Sequence, residues 1–322
     1  MSKKDDTLLF LVTENARYKL KELGKILKKS SQRLLYNIQT LEKEKIIYHP
    51  HIVIDYSYFG LILFRVYFKG AYISEKDKQN IVTILKKNPL VTSIYALSGG
   101  FDLVIEFTAP NPSRFNKELK KIGAEIPTLN NYQIILNVVS HLYPRSYLLK
   151  NKQEHEEETI IGGDRTLRVF NEQEKKIIQQ LLLNTQIRYT QLAEQADLNI
   201  KTVIQNIKRL KNEKIIRGFQ YLIKGTNAKI DQFRLFLKLH NISAEREKQL
   251  LAYLLTTKEV ISLNKTVGDW DLEIDIESRD AMAIRKEISQ LREEFKDLIQ
   301  SFNLIEISEY YKKSYLPEFL FT

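Results

Sequence analysis

Within residues 172–213 the apolar positions fall three times in succession on one side of a helix. Ile177, Ile178, Leu181 and Leu182 repeat at i, i+1, i+4 and i+5, the spacing of one face of a 3.6-residue period. After a polar break at Asn184-Thr-Gln, a short helix from Tyr189 to Ala196 turns Leu192, Ala193 and Ala196 inward. Asp197-Leu198 supplies a turn, and Asn199 is a good N-cap for a third helix running to about Glu213. Val203, Ile207 and Leu210 form its seam. Residues 1–47 repeat the design, with Ser30 as the cap and Leu34, Ile38 and Leu41 as the seam. Short helices with a tight turn before a polar-faced third one predict a helix–turn–helix.

After each of these segments the period shortens to that of strands. The first series is a strand at 61–69, a helix at 74–88, strands at 91–97 and 101–108, a helix at 112–124 and a strand at 132–141. The second is 233–240, 244–257, 260–266, 270–276, 279–299 and 302–310 in the same order. The order βαββαβ implies an antiparallel sheet with both helices on one face. The other face needs a cover, and the sister sheet is the economical one. Leu61, Leu63 and Phe68, with Leu235, Leu237 and Leu239, are the expected residues of those paired faces.

A shift of 169 residues lays the chain on itself. Between Leu23–Ile47 and Leu192–Ile216, eight of 25 positions are identical, against one or two expected at ordinary residue usage. The same shift pairs Val91 with Val260, Gly99 with Gly268, Asp102 with Asp271 and Leu103 with Leu272. The expected fold class is therefore α+β: two copies of an N-terminal helix–turn–helix domain followed by a ferredoxin-like βαββαβ domain. The boundaries are 1–52 and 53–148 for the first copy, a polar linker at 149–168 with Gly162-Gly163 as a breaker, then 169–221 and 222–322.

Composition narrows the function classes. There is no cysteine, which removes disulfides, thiolate metal sites and thiol nucleophiles. No stretch of about 18 uncharged apolar residues is present, so no membrane span is expected. The N-terminus shows no secretory pattern, and a cytoplasmic protein is expected. Of the net charge of +10, segments 1–52 and 169–221 carry +5 and +4. A localised positive excess suits a polyanion. The outward positions of the third helices supply the chemistry. Ser31, Gln32, Arg33 and Tyr36, with Lys28 just before them, occupy the first; Lys201, Thr202, Gln205, Lys208 and Arg209 occupy the second. Gln can pair with a base edge, and Lys and Arg neutralise phosphates. Double-stranded DNA is the expected partner.

Several of these residues resemble those of a known family. Asn15-Ala16-Arg17, Leu192-Ala193, the Ser30 and Asn199 caps, the Val203/Ile207/Leu210 seam and the Lys-Ile-Ile that closes each segment look like the DNA-binding domain of the Lrp/AsnC transcription regulators. The chain departs from that pattern at Asn37 and Asn206, where the family usually has Arg, and at Gly24, where it prefers Ala. The βαββαβ half resembles the effector domain of the same family, whose Gly-Asp-Tyr-Asp-like marker appears as Gly268-Asp269-Trp270-Asp271 and, altered, as Gly99-Gly100-Phe101-Asp102. The resemblance implies sheet-to-sheet pairing, here an intramolecular pseudo-dimer open to higher homo-oligomers. It also implies a small effector, such as an amino acid, at Gly99, Gly100, Asp102, Gly268, Asp269 and Asp271. No cofactor or metal site is expected; His49-Pro-His51 reads as a turn after a helix.

No Ser/His/Asp order or phosphate-cradling loop is present, and the expectation is a non-enzymatic regulator. The alternative is a tetrapyrrole enzyme like the sirohaem decarboxylases, which resemble this family in fold. Such an enzyme needs His and Arg near its second and third strands. The stretches Ser93–Ser98 and Ser262–Val267 hold neither, leaving His141 and His240 as lone candidates.

Overall fold

The computed structural model describes residues 3–149, 158–241 and 243–321, with side chains from residue 6 onward. Part of the expected linker, residues 150–157, lies outside the described residues. The first half opens with helices α1 (Lys3–Glu14), α2 (Leu20–Leu27) and α3 (Ser31–Lys43). Leu8, Leu9, Val12, Leu23, Leu34 and Leu41 bury together as their core. The Ser30 side chain accepts from the Arg33 amide at 3.3 Å, satisfying one of the unpaired amides that open α3. A Cβ added at Gly24 would lie 2.9 Å from the Lys29 carbonyl oxygen. Glycine is therefore the residue that lets α2 sit this close to the turn.

Strand β1 (Ile47–Ile54) leads to β2 (Ile62–Phe68), α4 (Glu75–Lys86), β3 (Val91–Ser98), β4 (Leu103–Ala109), α5 (Pro112–Glu125) and β5 (Tyr132–Leu142). A short strand β6 (Thr159–Gly162) lies inside the expected linker and pairs with the end of β5. The second half repeats the series: α6 (Glu172–Leu183), α7 (Tyr189–Ala196), α8 (Ile200–Asn212), β7 (Ile216–Ile223), the single turn α9 (Gly225–Ala228), β8 (Asp231–Leu239), α10 (Ala244–Thr256), β9 (Val260–Val267), β10 (Leu272–Ser278), α11 (Ala281–Glu294) and β11 (Ile299–Lys313). The fold is α+β, helix–turn–helix plus ferredoxin-like in each half. Helix α11 is shorter, and β11 longer, than the periodicity predicts. Phe295 and Leu298 end the helix by turning into the core, Phe295 edge-on to Tyr253.

The two ferredoxin-like sheets join through their edges. Hydrogen-bonded neighbours run β5-β2-β4-β3-β11-β8-β10-β9 and return to β5, all antiparallel. This is a closed eight-stranded barrel, and closure removes the sheet edges that would otherwise template aggregation. The faces differ from expectation. Phe68 packs with Phe64 and Val66 beneath α4 and α5, and Leu235, Leu237 and Leu239 pack beneath α10 and α11. Leu61 and Leu63 belong to the core of the second helix–turn–helix. The barrel interior takes the parity opposite to Phe68, Leu235, Leu237 and Leu239: Arg65 and Tyr67 on β2, Arg234 and Phe236 on β8, so that of the expected residues of β2 and β8 Leu63 alone shares the inward side. Helices on the outside leave both faces of these strands buried, so apolar character does not distinguish them.

Strands β1 and β7 form a separate antiparallel ribbon, from Ile47 opposite Ile223 to Ile54 opposite Ile216. Each end of the ribbon completes a different helical core. Tyr221 and Ile223 of the second half pack with Leu8, Leu23 and Leu34. Ile52, Val53 and Ile54 of the first half pack with Ile177, Leu192, Val203 and Leu210. The chain therefore crosses over itself between its helical heads and its barrel.

The barrel interior yields a stability prediction. Arg234 grips Asp275 through Nε at 2.6 Å and Nη2 at 2.9 Å, the guanidinium fully buried and the carboxylate partly so. Asp275→Asn should cost about 3–5 kcal/mol, because it leaves a buried guanidinium uncompensated. The double variant Arg234→Met/Asp275→Leu should cost less than the sum of its parts in chemical denaturation. Additive costs would show that the pair is not coupled.

Candidate nucleic-acid interface and the cavity between the halves

The expected reading faces are on the surface. Lys28, Ser31, Gln32, Arg33 and Tyr36 are exposed on or beside α3, Tyr36 by 69%. Lys201, Gln205 and Lys208 are exposed along α8, and Thr202 is half-buried. Arg209 is partly committed within the protein, donating to Glu174 at 2.8 Å and Asn206 at 2.6 Å. Asn206 is itself buried and donates to the Thr202 carbonyl at 3.0 Å, so this departure from the family pattern serves to fix Arg209. Sequence reasoning missed the apolar part of the face. Leu35, Ile200 and Ile204 are 44%, 41% and 46% exposed beside the polar residues. Their signal was there: they break the seam pattern by pointing away from it.

The two Gly-Asp turns stand elsewhere, at the β3–β4 and β9–β10 corners. Gly99 and Gly268 have φ of 129° and 148°, a region only glycine adopts freely. The Asp102 carboxylate accepts from the Ala71 amide at 3.2 Å, and Asp271 accepts from the Leu239 amide at 2.8 Å and Lys238 Nζ at 3.1 Å. Both aspartates thus lock the first strand of their half to the turn. Gly100 and Asp269 are exposed. None of the six expected effector residues lines the main cavity.

That cavity lies where the polar end of the barrel meets the β1–β7 ribbon. It offers about 100 Å³ of internal space, where one water needs roughly 10–15 Å³. Its lining includes His51, Arg65, Glu106, Arg145, Arg234, Asp275, Tyr310, Lys313 and Tyr315. Arg65 donates to Glu106 at 2.9 Å, to Asn137 and Asn264 at 3.2 Å, and to Glu273 across the halves. Tyr67 also donates to Glu273, at 2.7 Å, and accepts from Arg234. Arg145 donates to Glu277 at 2.9 Å and lies 3.5 Å from Glu14 at the end of α1. Burial pushes Glu106 upward, but Lys313 and Arg65 outweigh it and hold the carboxyl well below its usual range. Asp275 is likewise lowered by Arg234 against its burial. Burial raises Glu14, only partly offset by Arg145. His51 sits on a bulge of β1, not in a turn after a helix; His49 there has φ of 44°. Its Nδ1 lies 3.0 Å from the His49 carbonyl oxygen, and burial pushes the imidazole down to about 3. Among the described residues no group of three or more His, Asp or Glu is arranged to hold a metal ion, and no helix is long and apolar enough to cross a membrane. His141 lies on β5 against Glu158, apart from His51.

Residues 170–217 match the family model for winged helix-turn-helix DNA-binding domains. Comparison of the sequence with curated proteins finds no match. Among solved structures, the sirohaem decarboxylase NirDL is 13% identical and superposes with a TM-score of 0.58 over 98% of this chain and 94% of that one. Its complex with an iron-uroporphyrin III analogue gives 12% identity and the same score and coverage. An AsnC family transcriptional regulator from Agrobacterium tumefaciens is 16% identical over 48% of this chain and all of its own, with a TM-score of 0.41. The expectation of a non-enzymatic protein is corrected here, since the fold shared along almost the whole chain is that of an enzyme. The cationic side chains of the cavity lie outside Ser93–Ser98 and Ser262–Val267. Arg65 and Arg234 come from the ferredoxin-like first strands β2 and β8, Arg145 from the loop after β5, Lys313 from the end of β11, and His51 from the ribbon.

The buried His51 sets a pH dependence. Its folded value of about 3 lies below the ordinary 6.5. As pH falls below about 6.5 the unfolded chain therefore takes up a proton that the folded chain refuses. Stability should drop by roughly 1.4 kcal/mol per pH unit from this group, within the window from 6.5 toward 3. Denaturation of the wild type and His51→Gln at pH 6.5, 5.5 and 4.5 isolates the effect, because Glu14, with the opposite sign, and His49 are common to both. Parallel pH profiles would refute it.

Proposed function

We propose that this protein is a sequence-specific DNA-binding regulator of the Lrp/AsnC kind, with two unlike reading heads in one chain. The observation that supports it is the exposed, polar and basic face of α8 within the segment that matches winged helix-turn-helix DNA-binding domains. Helix α3 presents a second face of the same design but different residues: Ser31, Gln32, Arg33 and Tyr36 stand where α8 has Ile200, Lys201, Thr202 and Gln205. Two different heads read two different half-sites, so the operator should be asymmetric rather than palindromic. Fluorescence anisotropy with DNA from upstream of its own gene tests this. Lys201→Ala/Gln205→Ala should weaken specific binding by about 1–3 kcal/mol for each pairing of a side chain with a base edge that it removes, and affinity should fall steeply with salt. Unchanged operator affinity in that variant, or a footprint of two identical inverted half-sites, would overturn the reading.

A second reading is catalysis on a carboxylated tetrapyrrole in the inter-half cavity. It is favoured by the whole-chain fold shared with a sirohaem decarboxylase, together with the guanidinium groups and neutral imidazole that line the cavity. The internal ion pairs leave little room for a macrocycle as they stand, so this reading requires the cavity to open. Incubation with sirohaem, followed by absorbance and mass spectrometry for loss of CO₂, decides it.

A further inference from the structure

Hydrogen-bond donors in the cavity outnumber the acceptors that face them. Arg65 and Arg234 each make four hydrogen bonds, to Glu106, Glu273, Asp275 and polar neighbours. Asp275 is in turn occupied by Arg234 and Ser262. The remaining donors are underused. Lys313, with three N–H groups, has one hydrogen-bond acceptor among the described residues, Glu106 at 3.2 Å, and otherwise lies over the Tyr315 ring. Arg145 gives Nε to Glu277, but its Nη1 stands 3.5 Å from Glu14. Among the described residues the Tyr310 and Tyr315 hydroxyls have no hydrogen bond, although both rings line the cavity and are half-buried. The Thr108 hydroxyl, in the same wall, is buried without a partner. Four cationic side chains line the space with Glu106 and Asp275, and Glu273 and Glu277 neutralise Arg65 and Arg145 from behind, which leaves Lys313 as the cation with most free donors. Buried donors without acceptors are costly, and a cavity large enough for several waters gives them somewhere to point.

We propose that this cavity is a receptor for a compact oxyanion, a small carboxylate or phosphate, bound between Lys313 and Arg145 with the Tyr310 and Tyr315 hydroxyls as further donors. The site is distinct from the Gly-Asp turns and depends on neither functional reading above. It also has a built-in output. Arg145 is shared between Glu277 in the barrel and Glu14 at the end of α1. The Arg145 amide also donates to Glu14, at 3.2 Å, so an anion competing for the guanidinium removes the charged part of that hold, leaves the amide bond, and loosens the first reading head.

The test uses the full chain, titrated with succinate and with inorganic phosphate by calorimetry and thermal shift, against sodium chloride at matched ionic strength. Binding of either anion is expected, and the preferred one identifies the class. Lys313→Met should weaken it at least tenfold. Tyr315→Phe, which keeps the ring and its packing, should weaken it several-fold, so that a folding defect in the first variant cannot hide the answer. Amide hydrogen exchange across residues 8–14 should speed up with the anion bound. No binding beyond that of chloride, or unchanged affinity in both variants, overturns the site; binding with unaltered exchange overturns the coupling to α1.

Discussion

Two arginines buried inside a closed barrel constrain everything else in this molecule. Arg65 and Arg234 stand 169 positions apart, as do their partners Glu106 and Asp275. Each half thus brings its own ion pair on its first and third strands. The pairs then reach across: Arg65 contacts Glu273 of the other half, and Arg234 donates to Tyr67 and Tyr95. A half on its own would leave these groups facing water on an otherwise apolar sheet. Together they give a polar interior that is satisfied only when both halves are in register. The apolar end of the same barrel, with Tyr67, Phe101, Val104, Ile135, Phe236 and Ile305, excludes water from beneath the pairs.

Element order was legible because helices and half-buried strands carry different periods, and the repeat allowed each assignment to be made twice. Which strand face points inward was not legible. Strand β2 is buried at six of its seven positions, so leucines and phenylalanines occur on both sides and favour neither. The informative residue was the one that looked out of place. An arginine inside an apolar strand, at matching positions in both copies, marks the face where a partner charge must wait. Similarly, Thr159–Gly162 looked like linker because a four-residue strand is too short to show alternation; what makes it a strand is the free edge of β5 beyond the end of β2.

The same reasoning separates the two candidate sites. A reading face on one helix needs only the helical period to be seen, and the residues assigned from it are on the surface apart from the half-buried Thr202. The cavity is assembled from His51, Arg65, Arg145, Arg234 and Lys313, which no local pattern connects. Its aromatic and cationic members come from the ribbon, the barrel and the segment after the last strand. They meet only because the barrel closes and the ribbon crosses above it. The Gly-Asp turns, conspicuous in the sequence, turn out to be corner braces whose aspartates are committed to backbone amides.

Symmetry in the barrel does not extend to the heads. The first is held to the rest of the protein by charge: Asp6 accepts from Arg279 at 2.6 Å, and Glu14 meets Arg145. At the equivalent positions the second head has Lys175 and an exposed Leu183, and no such anchors. Its attachments are of another kind: Arg17 donates to the Thr185 and Ile187 carbonyls, Arg217 stands 3.7 Å from the buried Asp55, and Leu316, Phe319, Leu320 and Phe321 pack on its core, with Gln179 donating to the Phe321 carbonyl at 3.2 Å. Ion pairs that are partly open to solvent weaken with salt and with competing anions, whereas apolar contacts do not. The two heads thus differ in anchorage, the first through the Asp6–Arg279 and Glu14–Arg145 pairs and the second through apolar packing and the buried Asp55, and Arg145 joins the first of these anchors to the cavity wall.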